Sequence, residues 1–142
     1  MPRNKLPEDA FAEDACVWGL VCGQKDYTLA FHLNQLLGIS LERKADAELE
    51  LKKKNRLLLF SRYHYADPMN DRSLALFSNK YQGEFLIPEI KPADYLLLLR
   101  GYWDADEKKH LLQLLRKNEP IQAVVEPEWN KLKSRENLIF DE

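Results

Sequence analysis

The chain of 142 residues has few cysteines and glycines, and it has no excess of charge of either sign. Two cysteines are too few for a disulfide-stapled miniprotein, and five glycines are too few for a collagen-like fibre. The 21 Lys and Arg residues against 23 Asp and Glu leave a formal net charge of −2. Nucleic-acid-binding domains usually carry a strong basic excess, so we do not expect nucleic acid as a partner.

Long apolar runs are also missing. The amino end lacks the apolar stretch of about 7–15 residues that a secretory signal needs. No run approaches the roughly 20 residues that span a bilayer. We therefore expect a cytoplasmic protein without a membrane partner, in which Cys16 and Cys22 are reduced thiols.

The composition that remains is typical of a globular domain, with 45% hydrophobic and 31% charged residues. The length fits one domain of the usual size, about 100–150 residues. Residues 1–13 carry two prolines and several charges, which indicates a flexible lead-in. Residues 14–142 are then predicted to form a single domain.

Hydrophobic periodicity divides the chain into strands and helices. Residues 15–22 and 94–100 are apolar on both alternating faces, which predicts central strands that are covered on both sides. Helical spacing of leucines predicts helices over about 26–37 and 104–117, capped by Asp26 and Asp104. The other predicted strands are 45–51, 57–65, 73–80, 85–87 and 121–125.

This order, β-α-β-β-β-β-β-α-β, predicts the fold class. Two β-α-β units bracket an antiparallel meander, so we expect an α+β chain forming a single two-layer domain. In it, two helices pack on an antiparallel-rich sheet in a loosely ferredoxin-like or ACT-like arrangement with an inserted hairpin.

The residue types that carry catalysis do not occur in recognisable patterns. There is no G-x-S-x-G, no P-loop and no G-x-G-x-x-G, and neither cysteine has a histidine nearby in sequence. His32, His64 and His110 show no metal-binding spacing. We therefore expect no enzyme, no cofactor and no metal site.

One pair of segments carries a resemblance to a known family. Ile87-Pro88-Glu89, followed by Ala93-Asp94-Tyr95, resembles the signature of the IPExxVDY family of uncharacterised bacterial proteins. This chain has three residues between the two segments instead of two, and alanine in place of valine. The stretches 25–27, 38–41 and 132–140 are also similar to the family. The resemblance implies no established activity.

Glu89, Asp94 and Tyr95 allow two interpretations. They form either a polar binding site at the end of a strand or turn chemistry joined to an anchoring tyrosine. Pro88 and Pro92 each remove a backbone donor, which indicates a fixed bend that leads into the buried strand. Both interpretations stay open at this point.

Several large apolar residues occupy positions that suit binding of a partner. Phe31 falls on the helix face opposite Leu33 and Leu37, where a monomer would favour a polar residue. Aromatic residues at exposed positions are frequent interface anchors. The apolar tail Leu138-Ile139-Phe140 either pairs with a sheet edge or docks on its own domain. The candidate anchors are Phe31, Trp129, Leu138, Ile139 and Phe140.

A non-enzymatic protein-interaction or regulatory module is therefore the expected function. Its partner is another protein or a second copy of the chain, which would make a homodimer. The alternative is a small-ligand-binding regulatory domain, which β-α-β units permit by analogy of fold.

Overall fold

The computed structural model describes residues 15–139, so the predicted lead-in at residues 1–13 lies outside the described residues. The main strands are β1 (Ala15–Cys22), β2 (Glu42–Leu51), β3 (Arg56–Asp67), β4 (Arg72–Ser78), β7 (Tyr95–Arg100) and β8 (Ile121–Val125). Two short strands are β5 (Lys80–Tyr81) and β6 (Glu84–Phe85), and the helices are α1 (Asp26–Leu37) and α2 (Ala105–Lys117).

Six strands form one sheet in the order β2-β3-β4-β7-β1-β8, and each neighbouring pair is antiparallel. Strands β7 and β8 flank β1 and are parallel to each other, so β7-α2-β8 is a split β-α-β unit. Strands β1, β4, β7 and β8 with the two helices have the β-α-β-β-α-β order of a ferredoxin-like unit. The β2–β3 hairpin extends this sheet at one edge.

Both helices cover the same face of the sheet. Alternate residues of β1 and β7 pack with apolar residues of α1 and α2 in one buried cluster. The fold-class prediction, a single α+β domain with two helices on an antiparallel sheet, is therefore confirmed. The cluster includes Trp18, Leu20, Leu29, Leu33, Leu97, Leu99 and Leu115.

The opposite face is covered by chain that forms no long helix. Residues 86–94, here called the covering loop, and residues 126–139, here called the carboxyl-terminal segment, pack against it. Strand β7 is buried along nearly its whole length because it has cover on both sides, as its sequence predicts. The buried residues here include Val17, Leu96, Leu98, Ile87, Ile90, Trp129, Leu132 and Leu138.

The strand predicted over 73–80 is interrupted in the structure. Strand β4 ends at Ser78, and Lys80–Tyr81 pairs instead with Glu84–Phe85 in a separate two-stranded sheet. The residue between them, Asn79, is fully buried and bonds to the covering loop, which takes the chain out of the main ladder.

The helix ends follow local signals with one difference. Helix α1 ends at Gly38, whose φ of 66° gives the left-handed cap, and α2 begins with a capping box between Asp104 and Glu107. The residue that precedes α1 is Lys25, and Asp26 is the first helical residue instead of the predicted cap.

Candidate functional site

Asn79 fastens the covering loop to the sheet. Its side-chain nitrogen donates to the carbonyl oxygens of Ile90 at 3.0 Å and Ala93 at 3.1 Å. Its side-chain oxygen accepts the N–H of Ile87 at 2.8 Å. These three bonds hold both ends of the bend that contains Pro88 and Glu89.

Asp94 ties the end of β1 to β5. Its carboxylate accepts the backbone N–H of Cys22 at 2.8 Å and the ammonium of Lys80 at 2.9 Å. Its own N–H donates to the carbonyl of Leu20 at 2.8 Å. Each of these bonds joins Asp94 to another part of the same chain.

Glu89 holds the carboxyl-terminal segment. Its carboxylate accepts the backbone N–H of Ser134 at 2.8 Å. Partial burial by itself would raise the pKa of Glu89, but the hydrogen bonds from Ser134 and neighbouring backbone N–H groups outweigh it. The pKa of Glu89 therefore lies below its ordinary value, and the carboxylate is ionised at neutral pH.

Tyr95 anchors the turn before α1. Its hydroxyl donates to the carbonyl of Gln24. Burial raises the pKa of Tyr95, and the nearby carboxylate of Asp26 adds to the shift. The hydroxyl is therefore protonated at neutral pH and acts as a donor.

The structure does not bring Glu89 together with Asp94 and Tyr95. Glu89 bonds to the carboxyl-terminal segment, Asp94 to the ends of β1 and β5, and Tyr95 to the turn before α1. The two carboxylates share no bonding partner here, an arrangement that does not suit paired acid–base work.

The carboxyl-terminal segment docks on its own domain. Trp129 and Leu138 are buried, and Ile139 packs against the same cluster. Two short 3-10 turns, Trp129–Lys131 and Arg135–Leu138, replace the extended strand that would pair with a sheet edge. Of the two alternatives left open by the sequence, the structure shows docking on the chain's own domain. Trp129 and Leu138 are buried and Ile139 is partly buried, so they are not the exposed anchors that were expected, because they cover the sheet face behind them. Phe140 lies outside the described residues.

Phe31, in contrast, is exposed as predicted. Its side chain is 57% exposed, and Tyr27, one turn earlier, is 60% exposed. Gln35 follows one turn later and is also exposed. Residues four apart lie on one side of a helix, so Tyr27, Phe31 and Gln35 form one strip, here called the α1 face.

The α1 face lies in a stretch of chain without charge. Residues 27–41 contain no Asp, Glu, Lys or Arg, although such residues make up 31% of the sequence. Helix α2 has acidic residues in its first turn and basic residues in its last. Solvated helix faces normally carry charged or polar residues, so the uncharged aromatic face of α1 is typical of a covered surface.

A polar groove lies between the start of α1 and the β2–β3 hairpin. Its volume is about 360 Å³. Its cations are already paired in part, Arg43 with Asp46 and Lys80 with Asp94. The hydroxyl oxygen of Ser61 is buried without a hydrogen-bond partner among the described residues. The lining includes Lys25, Asp26, Arg43, Asp46, Ser61, Ser78, Lys80, Tyr81 and Tyr95.

A second, smaller cavity carries no evident chemistry. It measures about 140 Å³ and is lined in part by Cys16, Trp103 and Lys108. Burial raises the pKa of the Cys16 thiol, which makes it a poor nucleophile. Both Cys16 and Cys22 are free. Within residues 15–139 no group of three or more His, Cys, Asp or Glu side chains is placed to hold a metal ion.

Sequence reasoning missed Tyr27 and the groove. A signal for Tyr27 was present, because it precedes Phe31 by one helical turn and lies in the same uncharged stretch. Local patterns could not reveal the groove, because Lys25, Ser61 and Lys80 come from three separate parts of the chain.

Over the described residues, neither helix is both long enough and apolar enough to cross a membrane. Comparison of the chain with protein-family models, with curated proteins and with solved structures found no match.

Proposed function

We propose that this chain is a non-enzymatic, cytoplasmic protein-interaction module and that the α1 face is its docking surface. The observation that carries the proposal is the exposure of Tyr27 and Phe31 in a stretch without charge. Full burial of a large apolar side chain stabilises a protein or complex by about 1.5–3 kcal/mol. The rings of Tyr27 and Phe31 are each more than half exposed, so more than half of this stabilisation is available for binding a partner.

The residues that carry the resemblance to the IPExxVDY family favour a binding role for this chain and not a catalytic one. Glu89, Asp94 and Tyr95 use their polar atoms in bonds that hold the fold together. The α1 face has no such structural role. Tyrosine is among the residues enriched at the centres of interfaces, and phenylalanine is enriched there with it.

Capture of partners from the protein's own cells tests the docking surface. Tagged wild type is compared with Phe31→Glu and with Met69→Glu, a matched control, because Met69 is 85% exposed in the β3–β4 turn. We expect Phe31→Glu to reduce the captured partner at least about tenfold, as a buried interface charge would. Equal capture by all three chains would contradict the proposal.

A second candidate function is regulatory binding of a small charged ligand in the groove. The observation that favours it is the buried, unpartnered hydroxyl of Ser61 in a lining that also includes Lys25 and Lys80. A thermal-shift panel of charged metabolites tests it. A ligand of the groove would raise the melting temperature of wild type more than that of Ser61→Ala, and a flat response across the panel would count against it.

We also propose that the chain belongs to the IPExxVDY family. Support comes from the structural hydrogen bonds made by the residues that carry the resemblance. Glu89 bonds the carboxyl-terminal segment and Asp94 bonds β1, so the signature marks the places where the covering loop is fastened.

A further inference from the structure

We infer that the occupant of the α1 face is the α1 helix of a second copy of this chain, packed antiparallel across a two-fold axis near Phe31. The inference rests on the proposed function, because it names the partner of the same surface. It gives a symmetric dimer in which each copy uses the same strip.

The position of Phe31 suits such an axis. Helix α1 runs from Asp26 to Leu37, so Phe31 lies at its middle. Tyr27 and Gln35 lie one turn to either side. In an antiparallel pair, Phe31 therefore meets Phe31 of the second copy, and Tyr27 of each copy meets Gln35 of the other.

The absence of charge fits the same symmetry. At the two-fold axis Phe31 faces its own copy, so a charge at this position would face a like charge. One turn away Tyr27 faces Gln35, and neither residue is charged. Residues 27–41 contain no Asp, Glu, Lys or Arg. A partner of another sequence would allow a charge at position 31, because a complementary charge on the other side would then be favourable.

The two ends of α1 are complementary in charge. Lys25 is exposed at the amino end, with its ammonium 5.9 Å from the centre of the Tyr27 ring. Asp26, the acidic residue of the first turn, is half-buried and lines the polar groove. The last turn of α1 holds no basic residue, so its carbonyl groups keep their partial negative charge. Antiparallel packing brings Lys25 of each copy to the carboxyl end of the other helix.

The contact is small, which sets the expected affinity. A helix of 12 residues is about 18 Å long, so the buried area falls below that of a standard stable interface. We therefore expect a dissociation constant in the micromolar range, roughly 1–100 µM, which purified protein easily spans.

Sedimentation velocity of the purified full chain tests self-association. Wild type is measured from about 1 to 200 µM, beside Phe31→Glu and the control Met69→Glu. We expect wild type and the control to shift from 16.7 kDa towards twice that mass, and Phe31→Glu to dimerise at least about tenfold more weakly. Circular dichroism and melting temperature verify that Phe31→Glu is folded.

Disulfide trapping tests the orientation in a Cys16→Ser background. Antiparallel packing predicts that Tyr27→Cys chains mixed with Gln35→Cys chains form a cross-linked dimer. Either chain alone should cross-link at most about a tenth as well. Efficient cross-linking of each chain with itself, without the mixed product, would overturn the antiparallel arrangement.

A wild type that stays at 16.7 kDa up to 200 µM would overturn the inference of a second copy. That result is distinguishable from failure of the proposed function. If the monomer still captures another protein and loses it with Phe31→Glu, the docking surface stands and only its occupant changes. If capture is equal in Phe31→Glu and in Met69→Glu, the docking surface itself fails.

Discussion

Gly19 is a point where the covering loop packs directly against the backbone of β1. A Cβ atom at this position would lie 2.8 Å from the Cβ of Ala93 and 2.9 Å from the Cγ2 of Ile90. Such distances are shorter than normal carbon contacts, so glycine is needed because the loop rests directly on the backbone of β1.

We therefore expect Gly19→Ala to lower the free energy of unfolding by about 1–3 kcal/mol, the usual cost of overpacking. The matched control is Gly23→Ala, because a Cβ at Gly23 meets nothing within 4 Å. Urea denaturation of both variants gives the measurement. Equal stability of the two would show that the loop does not rest on β1 as described.

Asn79 offers a second test at the same scale. Asn79→Ala leaves the N–H of Ile87 and the carbonyl of Ala93 without the Asn79 side chain, whereas the carbonyl of Ile90 still accepts the N–H of Ala93. Each unsatisfied buried group costs about 1–3 kcal/mol, so the two groups together predict a loss of at least about 2 kcal/mol in unfolding free energy. Asn130→Ala, at an exposed asparagine, should change it by less than about 0.5 kcal/mol. A small loss of unfolding free energy in Asn79→Ala would contradict the role of Asn79 in fastening the covering loop.

Residues whose partners are near in sequence were the predictable ones. Asp104 and Glu107 form a capping box three residues apart, and Gly38 ends α1 by its own backbone geometry. Gly19 and Asn79 act on residues that come close only in the folded chain, so no local pattern distinguishes them.

At the scale of elements, α1 and the carboxyl-terminal segment look alike in sequence but have different roles. Both carry large apolar residues in places that suggest an interface. Leu138 is 1% exposed, whereas Phe31 is 57% exposed. One element completes the core, and the other presents its aromatic residues to solvent.

Alanine substitution distinguishes these roles. We expect Leu138→Ala to lower the free energy of unfolding by about 2–4 kcal/mol, because it opens a cavity under the sheet. Phe31→Ala should lower it by less than about 1 kcal/mol when measured at a concentration where the chain is monomeric, because less than half of the ring is buried and alanine favours the helix. Thermal or urea unfolding gives both values. A loss at Phe31 as large as that at Leu138 would contradict the exposure of the α1 face.

The attachment of the carboxyl-terminal segment depends on pH through Glu89. The pKa of Glu89 is lowered in the folded chain, so its contribution is present above the ordinary value of 4.5 and is lost as pH falls through the lowered value. We expect Glu89→Gln to cost about 1 kcal/mol of unfolding free energy at neutral pH, a modest value because the carboxylate is partly exposed.

The difference between wild type and Glu89→Gln should shrink as pH falls below 4.5, because wild type then loses the same charge. Urea unfolding at several pH values measures this difference. Glu136→Gln, at an exposed glutamate in the same segment, is the comparison variant. A difference that does not depend on pH would contradict the role of the Glu89 carboxylate.

Elements with a strong hydrophobic periodicity were predictable from the sequence, and elements defined by contacts between residues distant in sequence were not. Strands β1 and β7 and helices α1 and α2 follow their hydrophobic patterns closely. The break at Asn79 depends on the covering loop, and the 3-10 turns of the carboxyl-terminal segment depend on the sheet face beneath them.

At the scale of the whole molecule, the layers of the fold explain which surfaces remain exposed and available for binding. One sheet face is covered by two helices, and the other by the covering loop and the carboxyl-terminal segment. Most large apolar residues of the sheet are thus buried within the chain itself, with Leu57 of β3, at 52% exposed, as an exception. Among the described residues, the α1 face is where two large aromatic side chains on one element remain exposed.

The central claim, that the α1 face is the docking surface, is tested most directly by cross-linking in living cells. A photoreactive residue replaces Gln35 in one chain and Lys53, exposed in the turn between β2 and β3, in another. We expect a discrete cross-linked product from position 35 that disappears when Phe31→Glu is added, and no such product from position 53. Products of equal yield from both positions, or none from position 35, would contradict the claim.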